Sequence, residues 1–469
     1  MHNNHIVTIF GGTGDLTYRK LLPAFYNLMI HDSLPKSFKI TIIGRQDLTT
    51  ESYHEHLIPW LKEHARFKVD DEDIEKFVSY VTYFKMVFTE EEGYHRLYKY
   101  YEELDKVNHH DKLYYFAVDP SFFLNIAEYL NKANLAEGAS IIIEKPFGNN
   151  LEHAKIINHR LGEIFNDKNI YRIDHYIAKE MVQNILTVRS GNALFKNIWN
   201  KDVIESIQIS AAETVGVENR VNFYDVTGAL KDMVQSHLLQ ILTIVTMDMP
   251  DELTSDAIHA VQEEVLENLT IKNPESDIIF GQYDNYKDEP NVDKNSNTET
   301  YVALRFEINN DRWSGVPIFV RTGKKLAKRS TEITLQLKSS GNLAPNLIVI
   351  KVQPDEGIYV KLNIKTPGHT NNTESVYMDF CQSCNLEFRN NTPEAYERLL
   401  DAAMMHDQTL FASLKQVIHS WQITESILKK SKENPIHTYT SYSSGPKAAD
   451  LLLEKENTAW FEDKVLGEF

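Results

Sequence analysis

The sequence predicts two folds in series: an α/β domain with a doubly wound parallel sheet, then an α+β domain with a large, mostly antiparallel sheet and packed helices. Three observations predict this. Short apolar, β-rich runs alternate with helical patterns through the first third of the chain, as parallel strands joined by crossover helices do. Beyond about residue 180 the texture changes to period-two strands separated by turn signals, which suits antiparallel pairing. The chain of 469 residues is too long for one ordinary hydrophobic core.

Taken in order, Ile6-Val7-Thr8-Ile9-Phe10 forms a strand that runs directly into Gly11-Gly12-Thr13-Gly14-Asp15-Leu16, and Arg19 to Leu28 then has a helical pattern. A second strand, Phe38 to Ile43, ends at Gly44-Arg45. Lys112 to Val118 and Ala139 to Glu144 are further strands, with a helix from Phe122 to Lys132 between them. Beyond residue 180 a helix is well marked from Gly228 to Met247, with Leu230, Val234, His237, Ile241 and Val245 on a single stripe. Strands are expected over 203–211, 301–308, 318–321, 332–337, 347–352 and 358–364, and 283–300 is expected to be an exposed polar loop. The domains are expected to span 1–176 and 177–469.

Composition excludes several classes of function. With 42% hydrophobic and 25% charged residues the chain has the makeup of a soluble globular protein. A net charge of −18 argues against non-specific binding to nucleic acid or to an anionic membrane. No apolar run reaches membrane-spanning length, and Met1-His2-Asn3-Asn4-His5 lacks the regions of a signal peptide. Two cysteines cannot make a disulfide scaffold, so the cytoplasm is the expected compartment. Cys381 and Cys384 form a Cys-x-x-Cys without the second ligand pair of a structural zinc site or the helix start of a redox motif, and no metal is expected from them.

A strand entering Gly11-x-x-Gly14 and then a helix has the geometry of a dinucleotide-binding, Rossmann-like fold. Glycines permit the tight turn and close backbone approach, and the helix N-terminus receives the pyrophosphate. The spacing is not the full Gly-x-Gly-x-x-Gly, so a glycine turn in any α/β protein is the competing account. The position after the second strand sharpens the choice. NAD sites commonly carry an acid there, whereas this chain has Arg45, suited to a 2′-phosphate. NADP is therefore favoured, although an arginine can also stack on adenine and admit NAD. Lys20, one turn into the first helix, could add charge near the phosphates.

The densest run of chemistry is Tyr171-Arg172-Ile173-Asp174-His175-Tyr176-Ile177-Ala178-Lys179-Glu180. If a helix starts at Asp174, His175 and Lys179 share one face and present donors to an anionic ligand, with Tyr176 beside them. Read alone, the stretch is equally a solvated helix start with an aspartate N-cap. His237 on its apolar stripe reads alone as a core histidine, Lys145 as a solvated lysine before a turn, and Glu213 and Asp232 as surface carboxylates. Arg321, Lys324, Lys325, Lys328 and Arg329 put five bases within nine residues of an acidic chain, ordinarily a solvated face.

These segments together resemble the glucose-6-phosphate dehydrogenase family over nearly the whole length. The resemblance is carried by Gly11 to Leu16, Ile142 to Gly148, Arg172 to Tyr176 through Asn184, Thr227 to His237, Trp313 to Pro317, Arg321 to Leu326, Pro393 to Leu400 and Asp407 to Phe411. It implies glucose 6-phosphate as substrate, His237 as the base for the C1 hydroxyl, and Asp174 as the carboxylate that fixes its tautomer. It further implies a 6-phosphate site at His175, Tyr176 and Lys179, sugar-hydroxyl contacts at Glu213 and Asp232, and substrate contacts at Lys324 and Arg329. Lys145 would touch both substrate and coenzyme, with Pro146 cis after it. Association through the large sheet, as a homodimer or dimer of dimers, is also implied. Ile177 and Ala178 replace the family's usual leucine and glycine, which implies adjusted packing, and the added methyl bears on the placement of Lys179. The rivals are a related oxidoreductase of unphosphorylated sugars, which would lack the phosphate donors, and a non-catalytic NADP sensor, which would lack the His237 and Asp174 pair.

Overall fold

The computed structural model describes residues 4–339, 341, 343–369, 371–382 and 391–462. The chain forms two compact units. The first comprises Met1–Ala178 together with Glu252–His259 and Pro393–Ile418, and the second Lys179–Asp251, Ala260–Thr392 and His419–Phe469. A single division at 176 expects units that are each continuous in sequence, and these are not. Two later segments join the first unit, where Leu399, Leu400, Met404 and Phe411 enter its apolar core.

The first unit holds a six-stranded parallel sheet of β1 (His5–Phe10), β2 (Phe38–Gly44), β3 (Val81–Lys85), β4 (Asp111–Phe116), β5 (Ser140–Ile143) and β6 (Ile170–Arg172), in the order β3-β2-β1-β4-β5-β6. Every residue of β1 and β5 is buried, as the apolar runs require of strands covered on both faces. Strand order reverses between β1 and β4, which opens a crevice at their C-terminal ends. Two strands escape the sequence patterns. β3 carries Thr82 and Lys85 among its five residues, and β6 is three residues long and overlaps the start of the run read for its chemistry.

The second unit is built on a ten-stranded sheet. Its strands are β7 (Ile204–Ala212), β8 (Leu269–Thr270), β9 (Ile278–Tyr283), β10 (Tyr301–Ile308), β11 (Ile318–Gly323), β12 (Ser330–Leu337), β13 (Leu347–Gln353), β14 (Gly357–Lys365), β15 (Thr373–Cys381) and β16 (Ile436–Tyr439). The order is β15-β14-β13-β12-β7-β11-β10-β9-β16, with β8 paired to β10. Pairing is antiparallel except between β7 and β11 and between β9 and β16. Cys381 closes β15, and Cys384 lies outside the described residues.

Two expectations are corrected here. The segment 283–300 is a loop but is not wholly exposed, because Tyr286, Val292, Ser296 and Thr300 are buried and Tyr286 and Ser296 both donate to Asp225. The helix expected over 228–247 is not one α-helix. It breaks at Gly228, is π-wound over Leu230–Leu238, and returns to α over Leu239–Thr246. No described helix is long and apolar enough to cross a membrane.

Candidate active site

The glycine loop sits at the switch point of the first sheet. Gly11 has φ +85°, and a Cβ there would overlap the carbonyl oxygen of Ala117 just past β4. Gly12 is pressed against Ile42 of β2, and its N–H donates to the Ile43 carbonyl at 3.0 Å. Gly14 N–H donates back to Gly11 at 3.0 Å, closing the turn that Thr13 spans, and Tyr18 N–H donates to Gly14 at 3.3 Å. Gly14 and Asp15 are exposed, Leu16 is half-buried, and Asp15 pairs with Arg19 at 3.3 Å. The loop therefore keeps a backbone surface that side chains do not cover.

Arg45 follows β2 and is exposed, two residues beyond the carbonyl that holds Gly12. Lys20 instead donates to Glu394 at 2.8 Å, so its charge is shared with a carboxylate of the same unit. Lys145 follows β5 at the C-terminal edge of the sheet, and the Lys145–Pro146 bond is cis. Its neighbour Glu144 accepts from Tyr115 at 2.6 Å and Tyr396 at 3.1 Å. Burial raises the Glu144 carboxyl above its ordinary range, against the lowering effect of both phenols and of Lys145.

The signature run differs from its conditional helical reading. Asp174 does not open a helix: its Oδ1 accepts from Tyr176 N–H at 2.9 Å and its carbonyl from Ile177 N–H at 3.1 Å, which folds 174–178 into a turn. A short carboxylate competes with helix formation in just this way. The helix begins at Glu180, with Lys179 as its N-cap residue, so His175 and Lys179 are not four apart on one helical face. The His175 and Tyr176 rings lie 5.1 Å apart. Ala178 is fully buried in the core of the first unit.

In the second unit Lys179 donates to Gln353. Burial lowers its amine from 10.5 to about 8, helped by the like charge of Arg329 and opposed by Glu356. Lys179 and Arg329 thus share one electrostatic neighbourhood, and Arg329 is exposed before β12. The rest of the basic cluster disperses. Arg321 stacks on Trp460 at 4.2 Å, Lys325 pairs with Glu289 at 2.8 Å, and Lys328 faces solvent. Lys324 is buried, forms an ion pair with Glu213 just past β7, and lies 5.5 Å from the Tyr224 ring centre.

Asp232 and His237 lie on the π-wound segment and are 5% and 1% exposed. An i to i+5 hydrogen-bond pattern brings residues five apart onto one face, so the winding aligns this pair where α-periodicity would not. Arg220 approaches Asp232 at 3.8 Å. The segment is anchored at its start: Gly228 has φ +68°, Ala229 N–H donates to the Glu299 carbonyl, and Leu230 N–H donates to the Glu299 carboxylate, each at 3.0 Å. Glu299 and Gln353 carry no sequence signal of their own, because each acts on a group far along the chain, whereas Tyr396 lies within the Pro393 to Leu400 segment.

An uncovered backbone loop at a parallel-sheet switch point, beside an exposed arginine, has the geometry of a dinucleotide-binding domain, here followed by a second, sheet-based unit. Residues 8–184 match the family model described as glucose-6-phosphate dehydrogenase, NAD binding domain, and residues 186–461 match that of the C-terminal domain. The glucose-6-phosphate 1-dehydrogenase of Chlamydia pneumoniae is 37% identical, over 97% of this chain and 95% of that protein. A solved glucose-6-phosphate dehydrogenase in complex with its substrate glucose-6-phosphate is similar with a TM-score of 0.92 and 32% identity, covering 98% of this chain and 99% of that one. The Mycobacterium avium glucose-6-phosphate 1-dehydrogenase has a TM-score of 0.85 and 33% identity, over 98% and 100% of the two chains. The chain belongs to the glucose-6-phosphate dehydrogenase family.

Proposed function

We propose that this chain oxidises D-glucose 6-phosphate at C1 to 6-phospho-D-glucono-1,5-lactone, the first step of the oxidative pentose phosphate pathway, with NADP favoured and NAD the alternative. Cytoplasm is the compartment that the scarcity of cysteine favours. The observation that carries the assignment is full-length family membership with Asp174, His175, Tyr176 and Lys179 intact in one segment.

The residues suit the coenzyme. Gly11, Gly12, Thr13, Gly14, Asp15 and Leu16 would hold the pyrophosphate against bare backbone, Arg45 the 2′-phosphate, and Lys145 the end nearest the sugar. Lys20, engaged by Glu394, would contribute only at a distance. When bound, the coenzyme accepts the hydride from C1. His237 takes the C1 hydroxyl proton, and Asp174 is assigned to hold its tautomer, an assignment that rests on the match of both segments to the family. His175, Tyr176, Lys179 and Arg329 grip the 6-phosphate, each charge-assisted bond being worth roughly 1.5–3 kcal/mol. Glu213 and Asp232 accept from sugar hydroxyls, and Lys324 holds Glu213 in place.

One assay tests this: formation of reduced nicotinamide from glucose 6-phosphate or glucose with either coenzyme. Strong preference for the phosphorylated sugar and for NADP is expected. Equal rates on both sugars would favour the rival oxidoreductase of unphosphorylated sugars, and coenzyme binding without turnover the sensor. In the same assay His237→Asn is expected to lower turnover by about a hundred- to ten-thousand-fold while substrate still binds. Near-wild-type turnover would remove His237 from the role.

A further inference from the structure

The end of the first sheet opposite the glycine loop carries a cluster that the proposed reaction does not use. His5 and Asp111 are the first residues of β1 and β4 and stand in register. In-register neighbours project to the same face, here the face that Val7 and Ile9 continue on β1 and Leu113 and Tyr115 on β4. His5 is 1% exposed. The third member, His406, lies in the turn after the helix Ala395–Met404. Its Nε2 is 3.5 Å from Asp111 Oδ2, and its ring centre is 5.9 Å from that of His5. One donor atom from each of the three residues lies within 4.8 Å of the other two.

The backbone supplies an independent observation. His406 has φ +57°, its N–H donates to Ala403 at 3.2 Å, and Asp407 N–H donates to Ala402 at 2.9 Å. This is the helix-ending motif whose left-handed position is normally glycine. Histidine is disfavoured there by its Cβ, so the imidazole stands at a position where the backbone alone would select glycine.

We propose that His5, Asp111 and His406 bind a divalent transition-metal ion of the zinc class. Two imidazoles and one carboxylate form a donor set suited to zinc and its neighbours, whereas magnesium and calcium require oxygen ligands throughout. Asp111 and His406 are part-exposed, 30% and 47% at the side chain, so water can complete the shell. The strands separate this cluster from the glycine loop by roughly 20 Å. The ion is therefore a structural clip, tying the turn after Ala395–Met404 to two strands of the sheet across a sequence separation of 295 residues.

The test uses the full chain, stripped with chelator and titrated with Zn²⁺ by calorimetry, with thermal unfolding followed in parallel. The wild type should bind an ion and unfold at higher temperature with Zn²⁺ than without. His406→Gly, which suits the left-handed backbone and so should fold, is expected to weaken that binding by about tenfold or more and abolish the thermal shift. Asp111→Asn should do the same, and metal-free turnover of both variants should match the wild type. Absence of Zn²⁺ binding to the wild type, or wild-type affinity and thermal shift in His406→Gly, would overturn the proposal.

Discussion

Burial, opposed by Glu356 and aided by the Arg329 guanidinium, sets the ionisation of Lys179. Its amine falls to about 8, so it is an ammonium below that pH and becomes neutral as pH rises through it. A neutral amine loses most of its grip on a phosphate dianion. We therefore expect kcat/KM for glucose 6-phosphate to fall above about pH 8 while that for free glucose does not, and Lys179→Arg to carry the plateau to higher pH. A pH profile of kcat/KM on both sugars checks this, and a flat profile between about pH 7 and pH 9 would separate Lys179 from phosphate binding. The donors of this region were legible in Asp174 to Lys179 as residue types. Their geometry was not, because whether His175 and Lys179 share a helix depends on where the Asp174 carboxylate bonds, and it bonds to Tyr176 N–H.

Among the elements, the π-wound segment shows the limit of periodicity. The apolar stripe through Leu230, Val234 and His237 correctly marks a buried helix, yet the same spacing cannot distinguish α from π winding. The winding is anchored by Gly228, where a Cβ would overlap the Glu299 carboxylate, and by the bond from Leu230 N–H to that carboxylate. Burial raises the Glu299 carboxyl from 4.5 to about 7, and its bond from Leu230 opposes the shift. Between those values the folded chain holds more protons than the unfolded one, so this group's contribution to stability declines as pH rises from 4.5 to about 7. Glu299→Gln retains an acceptor for Leu230 and removes the titration. Its urea midpoint relative to wild type should therefore rise across that window, and a constant difference would show that the carboxyl titrates normally.

Over the whole molecule, β15 is the last strand of the large sheet among the described residues. Met378 and Phe380, 64% and 47% exposed, share a face with Ile364 of β14, an apolar edge of the kind that associates. We expect sedimentation to give at least a dimer and Met378→Asp to shift it towards monomer; an unchanged mass would place the contact elsewhere. The sequence by itself determined the two fold classes, the glycine loop, most strands of both sheets and the residue types of the site. These follow from local pattern, since burial on one side of a strand or helix repeats at short intervals along the chain. Only the tertiary structure decided that residues 252–259 and 393–418 complete the first unit, that Lys324 pairs with Glu213 while Arg321 and Lys325 turn elsewhere, and that Glu299 anchors the helix of His237. Each joins groups far apart in sequence, and no local periodicity records a partner that folding alone brings near.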